Sequence, residues 1–347
     1  MTTTYNLPTG KLIVDDYSRG QLETLSIGDY GKSKNIKADF LGFTNELNGV
    51  PSGDCMPLAE KWVITLSTQY GCPMKCTFCD VPNIKFKGNA SVMDLWNQFE
   101  NAVEAFPTTK YTDRLNVHFA RMGEPAFNAD NIIQFATELY HGKADIQSDY
   151  GLRLETIHPV FTTSCPKTAN DSYKVYNAVH EWCELKNGLY NGQAGLQLSI
   201  NSTCDEQREE MYQGMVMSLE EIAAMGDSLP DPIGRKYCLN FAYSSDFIID
   251  AEKLAKMFDS EKFMCKITPI HNNNACENNG IETVEGYTSF APYKQVESDL
   301  KDAGFDVLVF VPSMDEEDGI VTCGNAILGG SEITADTSVL KIQGLEK

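Results

Sequence analysis

From about residue 61 onward, short apolar segments alternate with longer amphipathic ones. The apolar segments are rich in β-branched and aromatic residues, as strands buried on both faces usually are. They predict strands at residues 61–68, 115–120, 156–162, 195–200, 236–242 and 263–270. The intervening segments have helical periodicity and predict helices at residues 91–106, 129–141, 172–185, 218–225 and 251–258. A further helix at residues 293–303 and a strand at residues 306–311 follow.

Six successive β/α units define the predicted fold class, which is α/β. Parallel strands joined by right-handed crossovers form a parallel sheet, and here a barrel or a partial barrel. Residues 1–60 lack clear periodicity and are expected to form an N-terminal extension with some strand. We expect the barrel at residues 61–275 and a C-terminal extension carrying Cys323 at residues 276–347, ending in a loose tail of about a dozen residues.

Composition is typical of a soluble globular protein. The chain has 347 residues, of which 42% are hydrophobic. No run approaches the ~18 apolar residues of a membrane span, and the first residues lack the basic and apolar regions of a signal peptide. We therefore expect a cytoplasmic protein with no membrane partner. In that reducing compartment, eleven scattered cysteines suggest metal-binding or catalytic thiols and buried packing residues rather than disulfides.

The net charge of −21 bears on the choice of partners. Proteins that grip nucleic acid through its phosphates normally carry a basic patch, and none is obvious along this chain. The acidity favours a small or weakly charged substrate, a cationic protein partner or a high-salt host, although it allows a local basic groove. DNA is not expected as a partner.

The most specific chemical motif is the group Cys72, Cys76 and Cys79, which directly follows the first predicted strand. Three thiolates in a C-x3-C-x2-C loop can hold three irons of a [4Fe–4S] cluster and leave the fourth iron without a protein ligand. The alternatives are three unrelated buried thiols or a zinc site. Structural zinc normally has four ligands, and no second pair of cysteines lies nearby, so the motif favours the cluster.

This loop, with the aromatic Phe78 directly before its third cysteine, resembles the signature of radical S-adenosylmethionine (SAM) enzymes. The resemblance implies a partial (β/α)6 barrel of the TIM type, cluster ligation by the three cysteines and SAM bound at the open iron beside Phe78. It also implies reductive cleavage of SAM to a 5′-deoxyadenosyl radical, with the electron supplied by a reductant such as flavodoxin or ferredoxin.

Candidate SAM-binding residues follow the later strands, where ligands of parallel α/β folds bind. Gly123 and Glu124 are similar to the family's motif that receives the amino group of methionine, although a Gly-Glu-Pro sequence by itself is usually only a turn. The further candidates are Thr162, Ser164, Ser199, Asn201 and Asn273. Hydroxyls and amides there suit ribose, carboxylate or adenine, and capping of the strand ends is the alternative explanation.

Several segments narrow the resemblance to the RlmN and Cfr family, which methylates adenosine in ribosomal RNA. They are residues 69–79 (QYGCPMKCTFC), 88–92 (GNASV), 122–125 (MGEP), 199–201 (SIN) and 318–325 (DGIVTCGN), within a match covering roughly residues 60–330. The resemblance implies that Cys323 accepts a methyl group from one SAM. A radical made from a second SAM would then take a hydrogen from that methyl, and the carbon radical would add to the ring. The alternative for Cys323 is a buried spectator thiol.

Two departures from the family pattern keep other functions open. The second catalytic cysteine of the family is replaced by Thr65. Either another thiol such as Cys165 or Cys55 takes its place, or the covalent adduct is resolved differently, or the reaction is not this methylation. Only 71 residues precede Cys72, and they are not basic, whereas the family has an N-terminal domain that binds RNA.

Two enzymatic hypotheses and one non-enzymatic hypothesis follow. The first is a methyltransferase that acts through methyl-Cys323 on an adenine-type or other heteroaromatic ring, with RNA as one possible substrate. The alternative is a radical SAM enzyme that modifies a small molecule or peptide by hydrogen abstraction. The third is an iron–sulfur or zinc-binding interaction module.

Overall fold

The computed structural model describes residues 1–44, 53–167, 173–283 and 289–345. Its strands are β1 (Thr2–Leu7), β2 (Gly10–Tyr17), β3 (Gly20–Ile27), β4 (Ile36–Lys37), β5 (Trp62–Leu66), β6 (Gln69–Tyr70), β7 (Gly88–Asn89), β8 (Tyr111–Phe119), β9 (Arg153–Thr163), β10 (Gly195–Ser199), β11 (Tyr237–Tyr243), β12 (Phe263–Pro269) and β13 (Val307–Phe310).

Its α-helices are α1 (Lys32–Asn35), α2 (Val92–Glu104), α3 (Ala129–His141), α4 (Lys143–Tyr150), α5 (Lys174–Asn187), α6 (Asp205–Tyr212), α7 (Leu219–Ser228), α8 (Ala251–Met257), α9 (Asn274–Asn278), α10 (Lys294–Asp302) and α11 (Met314–Asp318). Short 3₁₀ turns lie at Asp39–Leu41, Val81–Asn83, Pro125–Asn128, Ala291–Tyr293 and Ile327–Gly329. No helix that the structure describes is long and apolar enough to cross a membrane.

One large sheet organises the molecule, with the strand order β1-β2-β3-β5-β8-β9-β10-β11-β12-β13-β4. Neighbouring strands from β5 to β13 are parallel. At one edge β3 pairs antiparallel with β5, and at the other β4 pairs antiparallel with β13. Strands β6 and β7 form a separate two-stranded ribbon. The predicted α/β class with a mostly parallel sheet is confirmed.

The connection between β3 and β4 requires this sheet to curl. Eight inter-strand steps separate the two strands in the sheet order, which in a flat sheet would place them ~38 Å apart. The chain from Ile27 to Ile36 has nine residue steps and spans at most ~32 Å when fully extended. The parallel strands therefore curve into a partial barrel, and the segment between β3 and β4 bridges its open side.

The hydrophobic core lies between the outer face of this barrel and the helices. On β8, Leu115, Val117 and Phe119 are fully buried and alternate with inward-facing polar residues, as the two-residue period of a strand requires. The Phe119 ring packs edge-on against Phe135 of α3 at 6.0 Å and Trp182 of α5 at 5.9 Å between ring centroids. This aromatic core fixes the helices outside the sheet and leaves the barrel interior to polar side chains.

The repeating strands and helices lie close to their predicted positions. Helix α2 begins with a capping box: Asp94 N donates to Ser91 Oγ at 3.1 Å, and Ser91 N donates to the Asp94 carboxylate at 2.8 Å. The predicted start of the third helix, Ser172, lies outside the described residues. Helix α4 was not predicted because it has no apolar stripe, and Ile146 is its one buried residue.

The last dozen residues were expected to form a loose tail, and for the described part of this segment that expectation is wrong. Ile342 is 4% exposed and forms a parallel bridge with Cys55. Lys341 Nζ lies 2.8 Å from the Asp315 carboxylate, and Cys55 N donates to Lys341 O at 2.7 Å. The segment is held by partners far away in sequence, which a local pattern does not reveal.

Candidate active site

A cavity at the carboxyl ends of the parallel strands brings most of the candidate residues together. We call it the upper cavity. The predicted site residues that line it are Cys72, Cys76, Phe78, Cys79, Gly123, Glu124, Thr162, Ser164, Ser199, Asn201 and Cys323. They come from loops after five different elements, and only the curvature of the sheet makes them neighbours.

The cysteine loop is held to its surroundings by backbone hydrogen bonds. Thr77 N donates to Met211 O at 2.9 Å, and Asp80 N donates to Gly324 O at 2.9 Å. The Asp80 carboxylate is fully buried and accepts from Ala275 N at 3.0 Å and Ser331 Oγ at 2.5 Å. The loop is therefore anchored on α6, on α9 and on the segment that carries Cys323.

The three thiols suit a multi-iron cluster better than a single metal ion. Burial, followed by the charge of neighbouring cysteines, raises the pKa of Cys76 well above its ordinary value, and burial and Cys323 do the same for Cys79. A cationic metal group favours the deprotonated thiolates that such crowding otherwise penalises. The described residues contain no group of three His, Cys, Asp or Glu side chains that could hold one ion. Three thiols on one loop fit a cluster that is bound through three of its irons.

Glu124 is fixed by hydrogen bonds to both oxygens of its carboxylate. Its Oε2 atom accepts from Ser164 N at 3.0 Å and Ser164 Oγ at 2.6 Å, and its Oε1 atom accepts from Ala126 N at 3.0 Å. Burial raises the pKa of Glu124, and the hydrogen bonds from Ser164 lower it. The Thr163 side chain is a further hydrogen-bond donor to this carboxylate, so a ligand's ammonium group would be attracted by the negative charge of Glu124 rather than by an empty acceptor position.

Gly123 allows the close approach that places Glu124. Its φ angle is +107°, and a Cβ atom there would lie 2.6 Å from Thr68 Oγ1. The adjacent Glu124 N donates to Gln69 Oε1 at 2.8 Å. A side chain at position 123 would therefore displace the turn from the strand that precedes the cysteine loop.

The strand-end residues divide into two kinds. Among the described residues, the hydroxyls of Thr162 and Ser199 make no side-chain hydrogen bond and face the upper cavity. Asn201 is instead engaged on both sides, donating to Tyr212 Oη at 2.8 Å and accepting from Ala242 N at 2.9 Å. Tyr212 packs edge-on against Phe78, with ring centroids 5.4 Å apart, so Asn201 holds Phe78 in place through Tyr212.

Asn273 does not line the upper cavity. Its Nδ2 atom donates to Phe78 O at 3.1 Å, and its Oδ1 atom accepts from Cys276 N at 2.9 Å as the cap of α9. This geometry favours a role in holding the cysteine loop over the predicted contact with adenine or ribose.

Cys323 is an exposed residue that opens onto the upper cavity. Although the residue as a whole is exposed, the protein atoms around its thiol desolvate it and raise its pKa, and the charges of Arg121 and Lys266 offset only part of that rise. Arg121 Nη1 donates to Ile320 O at 2.7 Å, and this bond holds the loop that carries the thiol. Cys323 is accessible from the cavity, which is not the placement of a spectator packed in the core.

The thiols considered as substitutes at Thr65 lie elsewhere. Cys165 and Cys55 are both buried, and neither lines the upper cavity. Thr65 faces a second cavity at the amino-terminal half of the barrel. The cysteines of the upper cavity are thus Cys72, Cys76, Cys79 and Cys323 among the described residues.

Four polar residues inside strands line the upper cavity and were missed by the sequence analysis: His118, Gln197, Asn240 and Lys266. The Oδ1 atom of Asn240 is buried without a hydrogen-bond partner in the described structure, which suits a ligand donor. Gln197, Asn240 and Lys266 each interrupt a strand that is otherwise mostly apolar, whereas His118 lies on β8 among other polar residues. An isolated polar residue in a strand of this kind is the signal that would have identified the first three.

Comparison with known proteins gives relatives of one kind. Over 79 residues the chain is 35% identical to a probable dual-specificity RNA methyltransferase RlmN from Chlorobium chlorochromatii, covering 23% of this chain and 21% of that protein. Over 211 residues it is 26% identical to a protein of the same name from Pseudothermotoga lettingae, covering 60% of this chain and 54% of that protein. The chain spans about half the length of the curated relatives that it matches over more than 200 residues.

Among solved structures, a radical SAM methyltransferase from Sphaerobacter thermophilus has the same fold. The TM-score is 0.54 at 13% identity, over 87% of this chain and 73% of that one. No family model matches the chain. The structural similarity supports the partial barrel, and the sequence similarity to RlmN proteins is independent of it.

Proposed function

We propose that this chain, a radical SAM, RlmN-like enzyme, transfers a methyl-derived carbon through Cys323 to an electron-poor carbon of an adenine-type or other heteroaromatic ring. The observation that carries the proposal is the position of Cys323 on the cavity shared by the three cluster cysteines and Glu124. A thiol there would share the cavity with SAM bound at Glu124, and so could both accept a methyl group and present it to a radical.

The residues of the upper cavity take the following roles. Cys72, Cys76 and Cys79 hold a [4Fe–4S] cluster, and Glu124 receives the amino group of SAM. When bound, the cluster supplies the electron that cleaves SAM to a 5′-deoxyadenosyl radical, after reduction by a flavodoxin- or ferredoxin-type partner. Cys323 attacks the methyl group of SAM as a thiolate and releases S-adenosylhomocysteine, and the positive charges of Arg121 and Lys266 offset part of the rise in the thiol pKa that burial causes.

Labelled SAM tests the role of Cys323. The protein is reconstituted anaerobically with iron and sulfide and incubated with methyl-labelled SAM, and the peptide containing Cys323 is analysed by mass spectrometry. We expect a labelled methyl group on Cys323, none in Cys323→Ala, and unchanged labelling in the control Cys204→Ala. An unlabelled Cys323 in protein that still makes 5′-deoxyadenosine would exclude the proposal.

One observation favours a second candidate function, the modification of a small molecule or peptide by hydrogen abstraction. The family resolves its covalent intermediate with a second cysteine, and the residue at that position, Thr65, has no thiol and faces the other cavity. In this case Cys323→Ala leaves formation of 5′-deoxyadenosine intact and changes only the product. Transfer of label from methyl-SAM into a ring carbon of RNA would count against it.

A further inference from the structure

The second cavity lies at the amino-terminal half of the barrel, and we call it the lower cavity. It is lined by residues at the starts of the parallel strands and in the loops before them, including Lys61, Arg114, His158 and Arg235. Six residues line both cavities: His118, Gln197, Lys266, Phe310, Pro312 and Thr322. The two cavities therefore meet inside the barrel.

The lower cavity concentrates positive charge in a strongly acidic protein. Its basic residues are Lys32, Lys61, Arg114, Arg235 and Lys266. The whole chain has 28 basic and 49 acidic residues. The five cations around this cavity therefore form a local excess of positive charge in a protein whose net charge is negative. Asp29 and Glu316 are the acidic residues that line it.

These acids neutralise little of the charge. Asp29 is committed to Lys61, with a carboxylate–Nζ distance of 2.6 Å. The Glu316 carboxylate accepts from Ser313 N at 2.7 Å and Asn35 Nδ2 at 3.0 Å. Burial raises the pKa of Glu316 to about 7, so much of it is protonated near neutral pH.

The remaining four cations have no ionic partner among the described residues. Arg114 Nε donates to the neutral amide of Asn116 at 2.9 Å, and Arg235 Nη1 reaches only Gln193 O at 3.5 Å. Lys266 Nζ lies 5.5 Å from the centroid of the Phe310 ring. Lys32 Nζ is placed similarly over the Phe43 ring, at 4.7 Å.

The charges act on one another across the cavity. Burial and the charge of Arg235 lower the pKa of Arg114, and burial and the charges of Arg114, Lys61 and Arg235 lower that of Lys32. Like charges gathered in one partly enclosed space are unfavourable without a counter-ion. Arg side chains in particular present a planar fork that matches carboxylate and phosphate oxygens.

We propose that the lower cavity binds the anionic end, a phosphate or carboxylate group, of a small-molecule substrate whose reacting ring lies in the upper cavity. The assignment to a substrate rests on the proposed function. Arg114 and Arg235 form the anion site, with Lys32 at its mouth and Lys266 between the two cavities.

The dimensions and surroundings favour a small molecule over RNA. Arg114 precedes His118, which lines both cavities, by four residues on the same strand, a distance of ~13 Å. A small molecule of about that length reaches from the anion site to the meeting point of the cavities. An RNA strand would have to pass through the barrel to reach the anion site. The net charge of −21 would also repel RNA from the outer surface of the protein.

Titration with inorganic pyrophosphate tests the anion site directly. Binding to the reconstituted enzyme is measured calorimetrically at low ionic strength for the native protein, Arg114→Gln, Arg235→Gln and the control Arg153→Gln. Arg153 is an exposed residue outside both cavities, paired with Glu155 at 3.0 Å. We expect Arg114→Gln and Arg235→Gln each to weaken binding by roughly tenfold or more, and Arg153→Gln to leave it unchanged.

No binding of pyrophosphate to the native protein, or equal weakening by Arg153→Gln, would overturn the anion site. Circular dichroism of each variant separates loss of the site from loss of the fold. Formation of 5′-deoxyadenosine by the native enzyme is measured in parallel, because its absence would refute the proposed function and leave the anion site standing.

A second arm identifies the source of the anion. The enzyme is incubated with methyl-labelled SAM and a cell extract divided into a low-molecular-weight filtrate and an RNA fraction. Label in a small molecule that an anion-exchange resin retains would support the proposal. Label in RNA, or in an uncharged small molecule, would overturn it.

Discussion

Arg121 and Glu23 form an ion pair of 2.8 Å between side chains that are 1% and 0% exposed. Glu23 belongs to β3, and its other carboxylate oxygen accepts from Leu328 N at 2.6 Å. Arg121 follows β8 and donates to Ile320 O. The pair thus connects the N-terminal strands to both sides of the loop that carries Cys323.

Breaking this pair from one side should destabilise the protein strongly. Glu23→Gln leaves the Arg121 charge buried without a counter-charge, and we expect the free energy of unfolding to fall by about 3–5 kcal/mol. Glu155→Gln, which removes an exposed partner of Arg153, should cost about 0–1 kcal/mol. Urea denaturation of the two variants measures the difference. Equal losses would show that the buried pair is not the link between these elements.

Replacing Asn273 should separate a positioning role from a role in binding SAM. Asn273→Ala removes the cap of α9 and the bond to Phe78 O, and we expect a loss of about 1–2 kcal/mol of stability. The affinity for SAM should change by no more than about two- to threefold, or about half a kcal/mol. The rate of methyl transfer through Cys323 should fall. Equilibrium binding of SAM measures the first effect. A loss of SAM binding comparable to that caused by Glu124→Gln would make Asn273 a ligand contact instead.

Removing the charge of Glu124 should weaken SAM binding. A charge-assisted bond between the Glu124 carboxylate and the amino group of SAM contributes about 1.5–3 kcal/mol. We therefore expect Glu124→Gln to weaken SAM binding by roughly 10- to 100-fold. Glu138→Gln, at an exposed carboxylate that accepts from Trp96 Nε1 at 2.7 Å, is the surface control. Unchanged affinity in Glu124→Gln would remove this residue from the SAM site.

The barrel histidines should make the protein sensitive to acid. Burial and nearby basic residues lower the pKa of His118 to about 3 and that of His158 to about 4. The unfolded chain binds protons at these histidines below about pH 6.5, whereas the native state does not, so stability is lost as the pH falls below that value. His118→Gln and His158→Gln should flatten this dependence, and the exposed His141→Gln should not. Thermal unfolding between pH 7 and about pH 4 measures it, and an unchanged slope would contradict the prediction.

Glu316 changes the pH dependence of stability in the direction opposite to that of the histidines. Its pKa is raised to about 7 from 4.5, so the native state keeps a proton that the unfolded chain releases. The resulting stability is present below pH 4.5 and is lost as the pH rises towards 7. The histidine effect therefore has to be read from differences between variants rather than from the native curve alone.

The regular part of the fold was predictable because each strand and helix carries its own local pattern. Helix α3 coincides with the predicted residues 129–141. The N-terminal strands were not assigned individually, although Gly10 and Gly20 mark their turns. At Gly10 a Cβ atom would lie 2.3 Å from Ser26 O of the adjacent strand. That constraint depends on pairing between strands, which a local pattern does not contain.

The site residues that belong to a sequence motif were predictable. Those that become neighbours only through the curvature of the barrel were not. The residues after each strand could be anticipated because parallel strands end at one edge. The inward-facing His118, Gln197, Asn240 and Lys266 depend on which face of the sheet curls inward. The proximity of Arg114 and Arg235 is visible only once segments distant in sequence meet around one cavity.

The bridge between β3 and β4 has a consequence for how the chain folds during synthesis. Strands β3 and β4, at the two ends of this bridge, are both synthesised before residue 40. The strand with which β4 pairs, β13, begins only at Val307. Until that strand emerges from the ribosome, the apolar edge of the growing sheet has no cover. Closure of the barrel is therefore a late event with high contact order, and an interrupted chain that ends before β13 should aggregate.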